Sequence, residues 1–295
     1  MKLIEKYPFL MIIVGVLGVS LSAIFVRLSH APAVVTAACR LVCAVLLMSP
    51  VVWGKEKHRK ALFQLSGKQY LLCIVSGIFL AIHFALWFES LNQTSVASST
   101  AIVCTEVIWV ALGYCLFMKG TISKKAILCI GISLFGSVLI AFSDSATEGG
   151  HLYGDLLSLL SAIAVAVYTL LGKTARKNMT TTSYTYIVYI SCAVVLVVLT
   201  ALQQHPISAF DQRAIAAGFL LALFSTILGH SIFSWCLKYF SPSFISASKL
   251  CEPIVAAIAA AILFQEIPAA LQLLGSGIVI VGVFLYSAEE RKQKC

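Results

Sequence analysis

The chain has 295 residues, 60% of them hydrophobic and 11% charged, with a mean hydropathy of +0.97. An average soluble domain is about 25% charged, so 21 basic and 12 acidic side chains could not cover the surface of a soluble protein of this length. The composition excludes a soluble enzyme or binding module and calls for a polytopic membrane protein. The net charge of +9 must then be located before it is read as a nucleic-acid footprint.

A spanning helix needs about 20 mostly apolar residues. Ten stretches qualify: 8–28, 32–53, 69–91, 96–118, 124–143, 152–172, 181–202, 214–237, 243–264 and 269–288. Short punctuators separate them, among them Pro32, Asn92-Gln93-Thr94, Lys119-Gly120, Gly149-Gly150, His205-Pro206, Ser241-Pro242 and Pro268. The first stretch follows Lys2 and Lys6 and precedes Ser20-Leu21-Ser22-Ala23, but it is too long for the apolar region of a cleaved signal. It is read as a retained helix.

With the N-terminus placed in the cytoplasm, 17 of the 21 Lys and Arg residues fall on the cytoplasmic side, and only Arg27 and Arg213 face outward. That asymmetry satisfies the positive-inside rule and places both termini in the cytoplasm. The positive charge is thus a collar that sets orientation, and no nucleic-acid partner is implied.

An offset of 146 residues aligns 91–141 with the second half of the chain without gaps. Glu106 meets Glu252, Gly131 meets Gly277 and Gly136 meets Gly282. The expected fold is all-α and transmembrane: ten helices as two five-helix inverted-topology repeats, with a first unit over 1–143 and a second over 144–295. Five is odd, so the second unit enters the membrane from the opposite face, a construction found in secondary transporters that work by alternating access. The paired glycines predict close contacts along the fifth and tenth helices, within the chain or in a homodimer.

Four charges lie deep inside spans: Arg40, Glu106, Lys249 and Glu252. Each costs about 2.5–3.5 kcal/mol at a helix centre, so they are expected to face the bundle interior and one another. Lys249 and Glu252 share a helix face, which allows either a salt bridge that pins the helix or a lysine that contacts substrate. Pro253 cannot bond the carbonyl one turn earlier and marks a hinge. Glu106 has no basic residue near it in its own helix and is the candidate for proton coupling. Arg40 is open to two roles, holding a substrate carboxylate or neutralising a glutamate. His83 and Trp87 lie one turn apart, with His230, Ser234 and Trp235 at similar depth. They describe either an aromatic cavity wall or ordinary core packing. The ten cysteines show no metal spacing and are read as small apolar residues. No nucleophile elbow, zinc motif or P-loop occurs, so no cofactor is expected.

The run Tyr239 to Phe244, then Ser248-Lys249-Leu250-Cys251-Glu252-Pro253-Ile254-Val255-Ala256-Ala257, then Leu263 to Pro268 and the glycines from Gly275 to Gly282, resembles the EamA domain of the drug/metabolite transporter superfamily. The Glu252-Pro253 step and Glu266 carry most of that likeness. The first unit departs from it, with Val107 opposite Pro253 and Gly120 opposite Glu266. The resemblance implies a basket-like bundle whose cavity is lined by Glu106, Lys249, Glu252, His83, Trp87, His230 and Trp235. It also implies secondary transport, often export, of amino acids and related metabolites. The expectation is a transporter of the cytoplasmic membrane for a small polar or zwitterionic molecule, working by alternating access. Its partners would be that substrate and the lipid bilayer. Two alternatives stay open: efflux of lipophilic cations or drugs, and a non-transporting membrane enzyme or assembly subunit.

Overall fold

The computed structural model describes residues 7–94, 96–145, 152–255, 258, 262 and 270–292. Lys2, Lys6, Gly149-Gly150, Glu266 and Pro268 lie outside the described residues. The described chain is helical without strands. In chain order the long helices are α1 (Pro8–Ser29), α2 (Ala33–Gly54), α3 (Gly67–Gln93), α4 (Val96–Cys104 and Glu106–Met118) and α5 (Lys124–Ser145). There follow α6 (Leu152–Ala175), α7 (Thr181–Leu202), α8 (Gln212–Cys236), α9 (Pro242–Ser248 and the turns after it) and α10 (Ala270–Lys292). A short surface helix, Glu56–Phe63, joins α2 to α3.

Eight helices are long and apolar enough, over the described residues, to cross a bilayer. The expected spans at 124–143 and 243–264 correspond to α5 and α9, each of which contains residues that are not fully described. Large apolar side chains such as Phe117, Phe142 and Phe284 stand mostly exposed, which suits contact with lipid and not with water.

Packing partners recur with a period of five helices. The contact α1–α8 has a counterpart in α6–α3, α2–α8 in α7–α3, α4–α5 in α9–α10, and α4–α6 in α9–α1. The pairs α2–α7, α4–α9 and α5–α10 map onto themselves under the same exchange. The centre of the bundle is therefore where α4 meets α9 and α2 meets α7.

Glycines let these helices approach. A Cβ on Gly77 of α3 would meet Val188 O of α7 at 2.6 Å, and one on Gly218 of α8 would meet the α2 backbone at Cys39 and Arg40 within 3.0 Å. These two glycines do the same work in the equivalent pairs α3–α7 and α8–α2. At α5–α10 a Cβ on Gly136 would lie 2.7 Å from Gly275 O, and one on Gly282 would strike Ser133. Gly131 and Gly277, also expected at this contact, instead face open space with nothing within 4 Å. They are five residues from the contacting glycines, which turns them off the α5–α10 seam.

Replacing Gly136 with Ala should therefore destabilise the protein by about 1–3 kcal/mol through overpacking. Gly131→Ala should be neutral or stabilising by up to about 1 kcal/mol, because only helix propensity changes. Thermal unfolding of the two variants in the same detergent separates them; equal effects would contradict the assigned seam.

Candidate functional site

Four of the long helices are irregular within their spans, and the irregularities collect around the buried charges. In α9 the break has a proline cause. Pro253 has no N–H to give Lys249 O, so the chain tightens into a 3₁₀ turn over Lys249–Cys251, and the Glu252 N–H bonds Lys249 O instead. Cys104 Sγ of α4 also donates to Lys249 O, at 3.9 Å. In α4 the break has a threonine cause. Thr105 turns its N–H and its hydroxyl back on Ile102 O, at 3.0 and 2.6 Å, which competes with the regular ladder. Glu106 and Glu252 thus each begin a helical segment directly after a break. The α1 helix is interrupted at Leu21, and α8 widens into a π-helix over Leu221–Ser231. Such widenings are frequent at functional sites.

The Lys249 ammonium lies 2.9 Å from Glu106 Oε1, with both side chains nearly inaccessible. The sequence leaves Lys249 next to Glu252, three residues away; the structure pairs it across the bundle with Glu106. The turn over Lys249–Cys251 is what aims the lysine at α4. No hydrogen bond of good angle reaches Glu106 Oε1, so the pair is held mainly by charge. Phe233 of α8 sits under the lysine, 5.4 Å from the ring centroid. Glu252 is partly buried and, among the described residues, has no ion-pair partner. Lys249, Glu106 and Arg40 are the charges within its electrostatic reach.

Arg40 of α2 is wholly buried. Its Nε donates to Thr226 Oγ1 of the π-helix at 2.7 Å, and its guanidinium lies 4.0 Å from the Phe84 centroid. Thr226 in turn bonds Leu221 O five residues back, and Thr226 O accepts from Tyr189 and Ser231. The widened helix is what frees these groups. His83 of α3 is tied to α6, with Nδ1 at 2.8 Å from Ser161 Oγ, and it stacks on Trp87 at 5.9 Å. His230, from the π-helix, meets Phe84, Tyr168 and His83 with ring centroids 5.3, 6.0 and 6.5 Å away.

The structure therefore brings Arg40, His83, Trp87 and His230 into one aromatic cluster and Glu106 with Lys249 into one pair beside it. Trp235 belongs elsewhere. It packs on Tyr239 at 4.6 Å, and its neighbour Ser234 is the residue that turns inward, to Tyr168. Sequence reasoning missed Thr226 and Ser161 as partners. The signal for Thr226 was the polar run Ser225-Thr226 followed by Gly229-His230-Ser231 within an apolar span.

The two ends of the bundle differ. At the end that carries α1's start and α10's end, Lys173 of α6 donates to Leu237 O and Phe240 O at 2.7 and 2.8 Å. Arg176 donates to Ser234 O and Met179 O. These cations occupy the free carbonyls where α8 ends. Glu290 accepts from Ser241 N and Oγ at 2.8 and 2.9 Å, an anion at the start of α9. The opposite end holds a cavity of about 820 Å³ lined by Arg27, His30, Phe88, Leu91 and Asn92 among others. An apolar cavity of about 490 Å³ lies between α1, α9 and α10 and reaches Ser248 and Cys251.

Residues 6–142 and again 152–288 match the EamA-like transporter family. An uncharacterized transporter of Archaeoglobus fulgidus is 24% identical over 258 residues, 84% of this chain and 86% of its own. The uncharacterized transporter YwfM of Bacillus subtilis is 25% identical over 87% of this chain and 85% of its own. A protein of Escherichia coli named as a probable amino-acid metabolite efflux pump is 23% identical over 93% of this chain and 92% of its own. One crystal structure superposes with a TM-score of 0.78 over 98% of this chain and 99% of its own, at 13% identity, which supports the fold.

Lys249→Met alone leaves the Glu106 carboxylate buried and uncompensated and should lower stability by about 3–5 kcal/mol. Glu106→Gln should cost less, because Lys249 then has Glu252 on its own helix to turn to. The double variant should recover part of that loss, with a coupling of about 1–3 kcal/mol in a thermodynamic cycle. Additive losses would show that the two groups do not interact.

Proposed function

Because the chain belongs to the EamA-like transporter family, and is a multi-pass membrane protein with transporter relatives, we propose that it is a secondary transporter of small zwitterionic, amino-acid-like metabolites. It works by alternating access between two five-helix units, 1–143 and 144–295, of opposite orientation. Both termini lie in the cytoplasm, and the direction is export.

The observation that carries this reading is the Lys249–Glu106 pair, a buried ion pair that joins the two units at the breaks in α4 and α9. A buried pair adds little net stability compared with apolar packing, so its retention fits a switch. Breaking it requires that Glu106 be neutralised, and a proton does that. Once Glu106 is neutral, Lys249 is drawn to Glu252, the acid three residues along its own helix. Pro253 and Thr105 are the points about which the helix segments swing. The name of the Escherichia coli relative supports an amino-acid metabolite as cargo. The cations at the end where α1 starts and α10 ends would close the cytoplasmic side in this reading, and the cavity at the other end supports an outward-open state.

A second reading, efflux of lipophilic cations, is favoured by one feature only, the apolar cavity between α1, α9 and α10. Counterflow in proteoliposomes decides between them. Labelled amino acids should exchange and tetraphenylphosphonium should not. Glu106→Gln and Lys249→Ala should each reduce exchange by at least about tenfold while the protein still inserts and purifies as a folded species. Full exchange in both variants would remove the site assignment.

A further inference from the structure

A guanidinium has five N–H donors. Arg40 is completely buried and uses one of them, on Thr226. Among the described residues neither terminal nitrogen, Nη1 nor Nη2, meets an acceptor, and no carboxylate lies within ion-pair distance. Phe84 covers one face at 4.0 Å, and Phe88 stands 5.9 Å away. Trp87 packs on Phe88 at 5.4 Å, and its buried indole N–H is also without a partner. The neighbouring described groups do not supply an acceptor: Glu252 acts on Arg40 only through space and forms no ion pair with it. Glu106 is held by Lys249, His83 is held by Ser161, and His230 presents its ring to Phe84.

Leaving such donors unmet costs about 1–3 kcal/mol each, more for a charged group. The cluster is thus rich in donors, carries a full positive charge and is walled by aromatic rings. Its complement is a flat anion with an apolar body. A carboxylate matches the guanidinium fork with two parallel hydrogen bonds, which an ammonium or a hydroxyl cannot. The cavity of about 820 Å³ is lined by Phe88 on this side, and Arg27 and His30 line it as well. Basic groups there raise the local concentration of anions.

We propose that Arg40 is the carboxylate anchor of the transport site. The substrate carboxylate accepts from Nη1 and Nη2, and an apolar or aromatic side chain lies along Phe84 and Phe88. Lys249 takes no part in holding the carboxylate, because Glu106 occupies it. The inference rests on the transporter reading for its meaning, but the subsite is tested separately.

The full chain, purified into nanodiscs, is titrated with phenylacetate, phenylacetamide and phenethylamine, read by calorimetry and by thermal shift. Phenylacetate should bind at least about tenfold more tightly than its amide, the cost of one lost charge-assisted contact. Arg40→Gln should lose that preference. Arg40→Lys, which keeps the charge without the fork, should lie between. Unliganded Arg40→Gln should melt no lower than the parent, since an unpaired buried charge has been removed. A purely structural arginine would lower that melting point and leave the acid-to-amide preference in place.

Equal binding of acid and amide, no binding of either, or an unchanged preference in Arg40→Gln overturns the subsite. If Arg40→Gln does not insert, Arg40→Lys decides by the same comparison. Counterflow of phenylalanine by the parent protein reports on the transporter reading alone. Binding at Arg40 without counterflow sinks that reading and leaves the subsite. Counterflow without a preference for the acid does the reverse.

Discussion

A lysine and a glutamate held 2.9 Å apart at the contact of α4 and α9 govern the centre of this protein. A charge inside the hydrocarbon region cannot be left to lipid. Each of the two buries itself by finding the other, and to do so each must leave the regular path of its helix. The Lys249–Cys251 turn delivers the lysine, and the turn at Thr105 sets the glutamate at the start of a new segment. The pair and the breaks are one arrangement: without the breaks the side chains would follow a regular helix.

The rest of the bundle accommodates that arrangement. Backbone polar groups within a membrane need partners, so each irregularity brings in a neighbour. Cys104 meets Lys249 O, and Tyr189 and Ser231 meet Thr226 O in the widened part of α8. Glycines at Gly77 and Gly218 bring α7 and α2 close enough to α3 and α8 for the aromatic cluster to close around Arg40. At one end Lys173, Arg176 and Glu290 tie the helix termini together. At the other a wide cavity remains. One end strapped and one end with a cavity is the arrangement that the proposed alternating access needs.

Much of this was legible in the sequence. The apolar runs gave the helices, since a membrane span leaves no other reading of 20 apolar residues. The rarity of charge in those runs picked out Arg40, Glu106, Lys249 and Glu252, and Pro253 located the free carbonyl at Lys249. What stayed hidden depended on rotation about a helix axis. Spacing put Lys249 on the face of Glu252, and the 3₁₀ turn that aims it at Glu106 is a local winding change that a period of 3.6 does not contain. Trp235 fell at the depth of His230, but it is Ser234, four residues on from His230 and so on the same helix face, that turns inward. Gly131 and Gly277 matched across the repeat as well as Gly136 and Gly282 did, and only packing distinguishes the pair that touches.

The repeat itself explains why one acid is paired and the other is not. The same offset that carries Glu106 to Glu252 carries Val103 to Lys249 and Val107 to Pro253. The mirror image of the Lys249–Glu106 bridge would be a contact between Val103 and Glu252, which cannot carry charge. Two nearly symmetric units therefore share two acids and a single lysine, and the lysine can neutralise only one acid at a time. In the described structure that acid is Glu106, while Glu252 has no ion-pair partner among the described residues. Symmetry supplies two equivalent places for the bond, and the substitution at one position in each unit ensures that only one of them is filled.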